Sequence, residues 1–192
     1  KYKKKNIECL RACEIFCNFA GRMKIIGFSK IDGEVKMVLK GDSSLLVNRK
    51  PFFIPDWSQD VLLRDCLVIR ISRLGKCIRP KFAERYYDAI AWGIDACAND
   101  WLLTNPARAC AFDGSLIVGN WISPQEAMQD IPIEPILTIA DAIAQASEIV
   151  TLRQGDFIFV DSQQAPIKAV RDSIMSRIGD VSKNELLYCK IK

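Results

Sequence analysis

Leu62-Leu-Arg-Asp-Cys-Leu-Val-Ile-Arg-Ile71 is the stretch on which the fold turns. It is rich in aliphatic residues and alternates with a two-residue period: Leu67, Ile69 and Ile71 share one face, while Val68 and Arg70 share the other. Outward from it, Glu34–Leu39 alternates, and Gly41-Asp42 and the segment from Asn48 to Pro51 mark turns. Phe52–Ile54 is a brief apolar segment ended by Pro55-Asp56. Phe82–Ile90 has helical spacing and leads into an apolar run, Ala89–Ile94. Ile136–Val150 is the best helix, with Ile139, Ile143, Ala146 and Val150 on one face. Phe157–Val160 and Leu186–Ile191 read as closing strands. Strands that do not alternate regularly with helices predict an α+β, β-rich mixed-sheet fold, not a doubly wound one.

Lys1–Arg22 reads as separate from this pattern, and Met23 opens Met-Lys-Ile-Ile-Gly-Phe like a first strand. The expected division is an N-terminal extension over 1–22, a candidate non-native segment, and one domain over 23–192. The extension starts basic, but Arg11, Glu14 and Asn18 interrupt any signal-peptide apolar region.

Composition narrows the chemistry. The chain has 192 residues, 49% hydrophobic and 26% charged, with a net charge of +4, which suits a globular domain. Histidine is absent. That excludes Ser-His and Cys-His nucleophilic systems and every His-ligated metal site. The basic run Lys1, Lys3, Lys4 and Lys5 has no interleaved stacking aromatics, so no nucleic-acid partner is expected. No apolar stretch has the length of a membrane span, so no membrane partner is expected either. The eight cysteines lack paired zinc spacings and read as reduced thiols of a cytoplasmic protein.

From Pro51-Phe-Phe-Ile-Pro-Asp-Trp-Ser58 onward the chain resembles the fumarylacetoacetate hydrolase family. Leu67-Val-Ile-Arg-Ile71 with Leu74-Gly-Lys76 is similar to the strand after that family's Glu-x-Glu. Phe82-Ala-Glu-Arg-Tyr-Tyr-Asp88 and Gly93-Ile-Asp95 match its next helix and strand. Phe112-Asp-Gly-Ser115 resembles its Lys-x-Phe-Asp-Gly segment. Gly155-Asp-Phe-Ile-Phe159 resembles the strand before its Thr-Gly-Thr-Pro loop, and Leu186–Lys192 its closing strand. The resemblance implies a fold of that family's C-terminal-domain type, usually a homodimer. It also implies Mg²⁺ or Ca²⁺ held by Glu-x-Glu plus an Asp, and C–C hydrolysis, isomerisation or decarboxylation of acylpyruvate-like keto acids.

Residue by residue, the implied site is largely missing. Arg64 and Cys66 stand at the two Glu positions, Asp95 is the only ligand position kept, and Cys110 stands where the lysine is implied. Ser162 keeps a hydroxyl in the loop position, and the stretch around Ile122–Pro135 is short for the family. The implied seat carries three negative charges, whereas Arg64, Cys66 and Asp95 sum to zero. No metal or other cofactor is therefore expected, with Mg²⁺ or Ca²⁺ only if the implied site persists. Instead, Arg64 is expected to pair with Asp95 at the cation position, with Cys66 beside it. The expected function is a relative without the metal-dependent activity, with Arg64, Asp95 and Ser162 as candidate residues for binding a small keto acid. The alternative is a divergent hydrolase or lyase using Cys66 or Cys110 as its nucleophile. A third reading gathers Cys66, Cys97 and Cys110 with Asp95 into a soft-metal site.

Overall fold

The computed structural model describes residues 23–192. The expected extension over 1–22 lies outside the described residues. Ten strands and three short α-helices follow in order. The strands are β1 (Ile25–Ile31), β2 (Glu34–Lys40), β3 (Leu45–Val47), β4 (Val61–Ile71), β5 (Tyr87–Ala98), β6 (Leu116–Ile122), β7 (Phe157–Asp161), β8 (Ile167–Lys168), β9 (Ile174–Ile178) and β10 (Glu185–Lys190). The helices are α1 (Pro106–Cys110), α2 (Pro124–Asp130) and α3 (Ile139–Ile149). Eight strands form one mixed sheet in the order β2-β1-β7-β4-β5-β6-β3, with β8 also paired to β4, and β9 and β10 form a separate pair. The β1–β7 and β3–β6 pairings are parallel, and the others are antiparallel. The fold is thus the α+β, β-rich mixed-sheet architecture expected from the sequence. Among the described residues, no helix is long and apolar enough to cross a membrane.

The strand that opens the sequence reading is the axis of the sheet. β4 pairs with β5 along its whole length, from Val61↔Ala98 to Ile71↔Tyr87, and with β7 from Cys66↔Asp161 to Arg70↔Phe157. Its two faces serve two cores, as its alternation requires. Leu63, Leu67, Ile69 and Ile71 join the larger core, together with Ile90, Trp92 and Ile94 of β5 and Ala142, Ile143 and Ala146 of α3. Cys66 and Val68 join a smaller one with Ile25, Ala91, Leu116, Val118, Phe157 and Phe159. A third group, Ile31, Cys97, Leu102, Ala109 and Cys110, closes one end.

Local chemistry sets the connections. Asp32 and Gly33 both take positive φ, 54° and 79°, and join β1 to β2 with Ile31 paired to Glu34. Asp-Gly at the centre of a two-residue hairpin turn tolerates that geometry. The N-cap Thr138 accepts a hydrogen bond from Asp141 N at 3.1 Å and starts α3. Ser123 and Glu126 form a reciprocal capping box on α2.

One sequence expectation is corrected. Phe82–Ile90 is not an α-helix: a single 3-10 stretch covers Pro80–Arg85, and β5 begins at Tyr87. The apolar run Ala89–Ile94 decides the outcome, because it is buried on both faces of the sheet between β4 and β6. Tertiary burial overrides the local helical spacing there.

Gly119 on β6 is fixed by close approach. A Cβ there would lie 2.4 Å from the Leu186 carbonyl oxygen and 2.8 Å from that of Trp92. Backbone atoms cannot move aside as a flexible side chain can. Gly119→Ala should lower stability by about 2–3 kcal/mol, read as a shift in the urea unfolding midpoint with the slope unchanged.

Candidate functional site

Inside the curve of the sheet, four ionisable side chains meet: Lys40 from the end of β2, Arg64 from β4, Asp95 from β5 and Asp161 from the end of β7. Strand pairing builds the group. Arg64 lies opposite Asp95, and Cys66 lies opposite Asp161. All of them project to the face that carries Val68 and Phe159, away from the larger core. Asp65 points to the other face, as alternation demands. There it accepts from Trp92 Nε1 at 2.7 Å and from Arg177 Nε and Nη2 at 2.8 Å each.

The centre of the group is a fully buried ion pair. Lys40 Nζ lies 2.7 Å from Asp95 Oδ1, and both side chains are 0% exposed. The ammonium also donates to the Cys110 carbonyl oxygen at 2.6 Å and to Ser115 Oγ at 2.9 Å, with the Ser115 carbonyl at 3.2 Å. Ser115 Oγ in turn donates to the Cys110 carbonyl at 2.9 Å. A buried ammonium has three N–H bonds to satisfy, and these oxygens surround it. The contacts also tie β2 to the turn before β6, so the curled sheet is held across its interior. Phe159 lies beneath, with its ring centre 5.5 Å from Nζ.

The expected Arg64–Asp95 pair is present but secondary. Arg64 Nη1 is 3.9 Å from Asp95 Oδ2, an ion pair too long to be a hydrogen bond. The near counter-charge is Lys40, which the sequence reading did not single out. Burial works against the Arg64 charge, but Asp161 and Asp95 outweigh it and hold its pKa above the ordinary arginine value. Asp161 is the other residue missed. Burial first, and the Asp95 charge second, push its carboxyl well above the usual range, against the pull of Arg64. Neither Asp161 oxygen has a hydrogen-bond partner among the described residues. Each omitted residue carried a signal: Lys40 is in phase with the inward-facing Val38, and Asp161 is in phase with Phe157 and Phe159.

Above the group lies an open cleft of about 640 Å³, bounded by Lys30, Arg64, Ile136, Asp161, Ser162 and Gln163 among others. Of the three candidate binding residues, Arg64 and Ser162 therefore line a cavity, while Asp95 lies underneath at 0% exposure. Ser162 is held by its backbone, whose N–H donates to the Asp65 carbonyl at 2.8 Å.

The cysteine candidates lie deeper. Cys66 is fully buried, and its thiol is pushed well up by that burial and by the nearby carboxylates of Asp161, Asp95 and Asp65. Cys110 is also buried, with its sulfur 3.8 Å from that of Cys97. The hydrogen bond between the two, reinforced by burial, raises the Cys110 thiol, while the same bond makes Cys97 the easier one to ionise. Neither Cys66 nor Cys110 has the lowered pKa of an activated nucleophile. Among the described residues, no three His, Cys, Asp or Glu side chains are grouped to hold a metal ion. The positions implied for a Mg²⁺ or Ca²⁺ seat do not fit one either. Two cationic side chains approach Asp95, and Cys66 offers a neutral thiol where a carboxylate would be needed.

Two outcomes follow from the buried charges. Lys40→Met strands the Asp95 carboxylate and should cost about 3–5 kcal/mol. The double variant Lys40→Met/Asp95→Asn should recover roughly half of that loss, as read by urea unfolding. Asp161 gives a pH signature. Above the ordinary carboxylate range near pH 4 the unfolded chain releases this proton while the folded chain keeps it. Stability therefore falls as pH rises toward the raised folded-state value, and Asp161→Asn should gain on the native chain over that window. A stability gap that does not change with pH would contradict the assignment.

No protein-family model matches the sequence, and a search of curated proteins finds no match. Solved structures match over most of the chain. The 2-hydroxyhepta-2,4-diene-1,7-dioate isomerase of Mycobacterium marinum is 18% identical, with a TM-score of 0.76 over 90% of this chain and 75% of its own. The fumarylpyruvate hydrolase of Pseudomonas aeruginosa, solved with Mn²⁺ and pyruvate, is 16% identical, with a TM-score of 0.73 over 88% of each chain. A Yersinia pestis CO92 protein assigned to the fumarylacetoacetate hydrolase family is 17% identical, with a TM-score of 0.73 over 88% of this chain and 91% of its own. At these identities the likeness is one of architecture, and the chain has the fold of the fumarylacetoacetate hydrolase family.

Proposed function

We propose that this protein is a fumarylacetoacetate hydrolase family member that has lost metal-dependent C–C hydrolase, isomerase or decarboxylase activity and keeps the cleft as a small-molecule binding site. The carrying observation is the Lys40 ammonium 2.7 Å from Asp95, with Arg64 on the other carboxylate oxygen. Where the family resemblance implies three carboxylates around a cation, this chain has two carboxyl groups, Asp95 and Asp161, among two cationic side chains, Lys40 and Arg64. The electrostatic work of a divalent ion, polarising keto and carboxylate oxygens as a Lewis acid, has no place to be done. The cleft and the unpartnered Ser162 hydroxyl support retained binding.

The protein is further proposed to act in the cytoplasm as a homodimer. Ile174 and Ile178, exposed on one face of β9, support self-association through that side. The lost-activity reading is tested with acylpyruvates and oxaloacetate under excess Mg²⁺ or Mn²⁺. The expected outcome is no turnover above the uncatalysed rate, and metal-dependent turnover that Asp95→Asn abolishes would overturn the reading. Light scattering checks the dimer: a mass of one chain would contradict it.

A further inference from the structure

The cleft floor carries polar groups that the fold itself leaves without partners. Arg64 Nη1 is buried and has no hydrogen-bond partner among the described residues, although its side chain is 11% exposed at the cleft. Ser162 Oγ, on a residue 7% exposed, is likewise buried and without a partner. Leaving such donors unmatched is costly, more so for a charged one. Asp95 does not answer Arg64, since it is engaged by Lys40 at 2.7 Å and stands 3.9 Å from the guanidinium.

The charges around Arg64 set what it can take. Lys40 from β2 balances Asp95 from β5. Asp161 from β7 also faces the group, with both oxygens buried and without a hydrogen-bond partner among the described residues. Cys66 from β4 adds a fully buried side chain to the group. With Lys40 matched to Asp95, the floor presents the Arg64 guanidinium, whose Nη1 has no hydrogen-bond partner among the described residues, as a planar fork suited to two parallel bonds to a carboxylate. Lys30, also lining the cleft, adds no negative charge. The cavity of about 640 Å³ admits a molecule of metabolite size.

We propose that the cleft binds a small monocarboxylate directly, through Arg64 and Ser162, with no divalent cation between ligand and protein. The ligand carboxylate takes two N–H bonds from the guanidinium and one O–H bond from Ser162. The proposal deepens the preceding reading and rests on it.

Calorimetric titration of the full chain in EDTA at neutral pH tests it, with propionate and benzoate as probes and propionamide and inorganic phosphate as controls. The expected result is saturable one-site binding of a monocarboxylate, with no binding of propionamide and weaker binding of phosphate. Arg64→Lys keeps the charge but loses the fork, and should weaken binding on the order of tenfold. Ser162→Ala should weaken it by about threefold to tenfold. Unchanged affinity in both variants, equal binding of propionamide, or tighter binding of phosphate would overturn the proposal. So would no binding by the native chain with or without Mg²⁺, which leaves the lost-activity reading standing. Binding that appears only when Mg²⁺ or Mn²⁺ is added overturns both.

Discussion

A lysine ammonium and an aspartate carboxylate 2.7 Å apart, both fully buried, constrain the rest of this molecule. Removing two charges from water costs several kcal/mol each, so the pair survives only where geometry and extra hydrogen bonds offset that cost. The structure meets the condition with the Cys110 carbonyl and the Ser115 hydroxyl on Lys40. Those partners lie at the end of α1 and just before β6, near the far end of the strand order, while Lys40 ends the edge strand β2. The four-residue link 41–44 between β2 and β3 brings the two edges of the sheet together, and the bonds of the ammonium fasten it in that curl.

The same pair decides the chemistry. A site for a hard divalent cation concentrates negative oxygens and leaves a gap for the ion. Here that concentration is absent, and two cationic side chains stand against Asp95. Arg64 is then left over: its nearest carboxylate is already engaged, and its guanidinium lines a cavity. The poor fit of this group to a divalent cation and the guanidinium left free at the cleft arise from the same arrangement of charge.

Much of this was legible in the sequence, for identifiable reasons. The alternation in Leu62–Ile71 encodes a two-sided strand, and strand pairing then places Arg64 against Asp95 without further information. The helix within Ile136–Val150 carries its own cap and apolar face, so the structure moves only its ends. Phe82–Ile90 misleads because its spacing is local, whereas β5 is decided by burial against β4 and β6. Lys40 was hidden for a related reason. A lysine at the end of a half-exposed strand reads as solvated, and its burial depends on Ser115, seventy-five residues away. Asp161 ends an apolar strand in the same way: its phase with Phe157 and Phe159 turns it inward, but nothing local says that a carboxyl at a strand end stays buried.

The most direct measurement of the central claim is a Mn²⁺ titration followed by electron paramagnetic resonance, because bound Mn²⁺ loses the sharp signal of the free ion. With the native chain the signal should grow as in buffer alone, since Lys40 and Arg64 hold the position beside Asp95. The variant Lys40→Met/Arg64→Glu/Cys66→Glu restores three carboxylates there and should remove about one equivalent of signal per chain. Stoichiometric uptake of Mn²⁺ by the native chain, abolished by Asp95→Asn, would contradict the account.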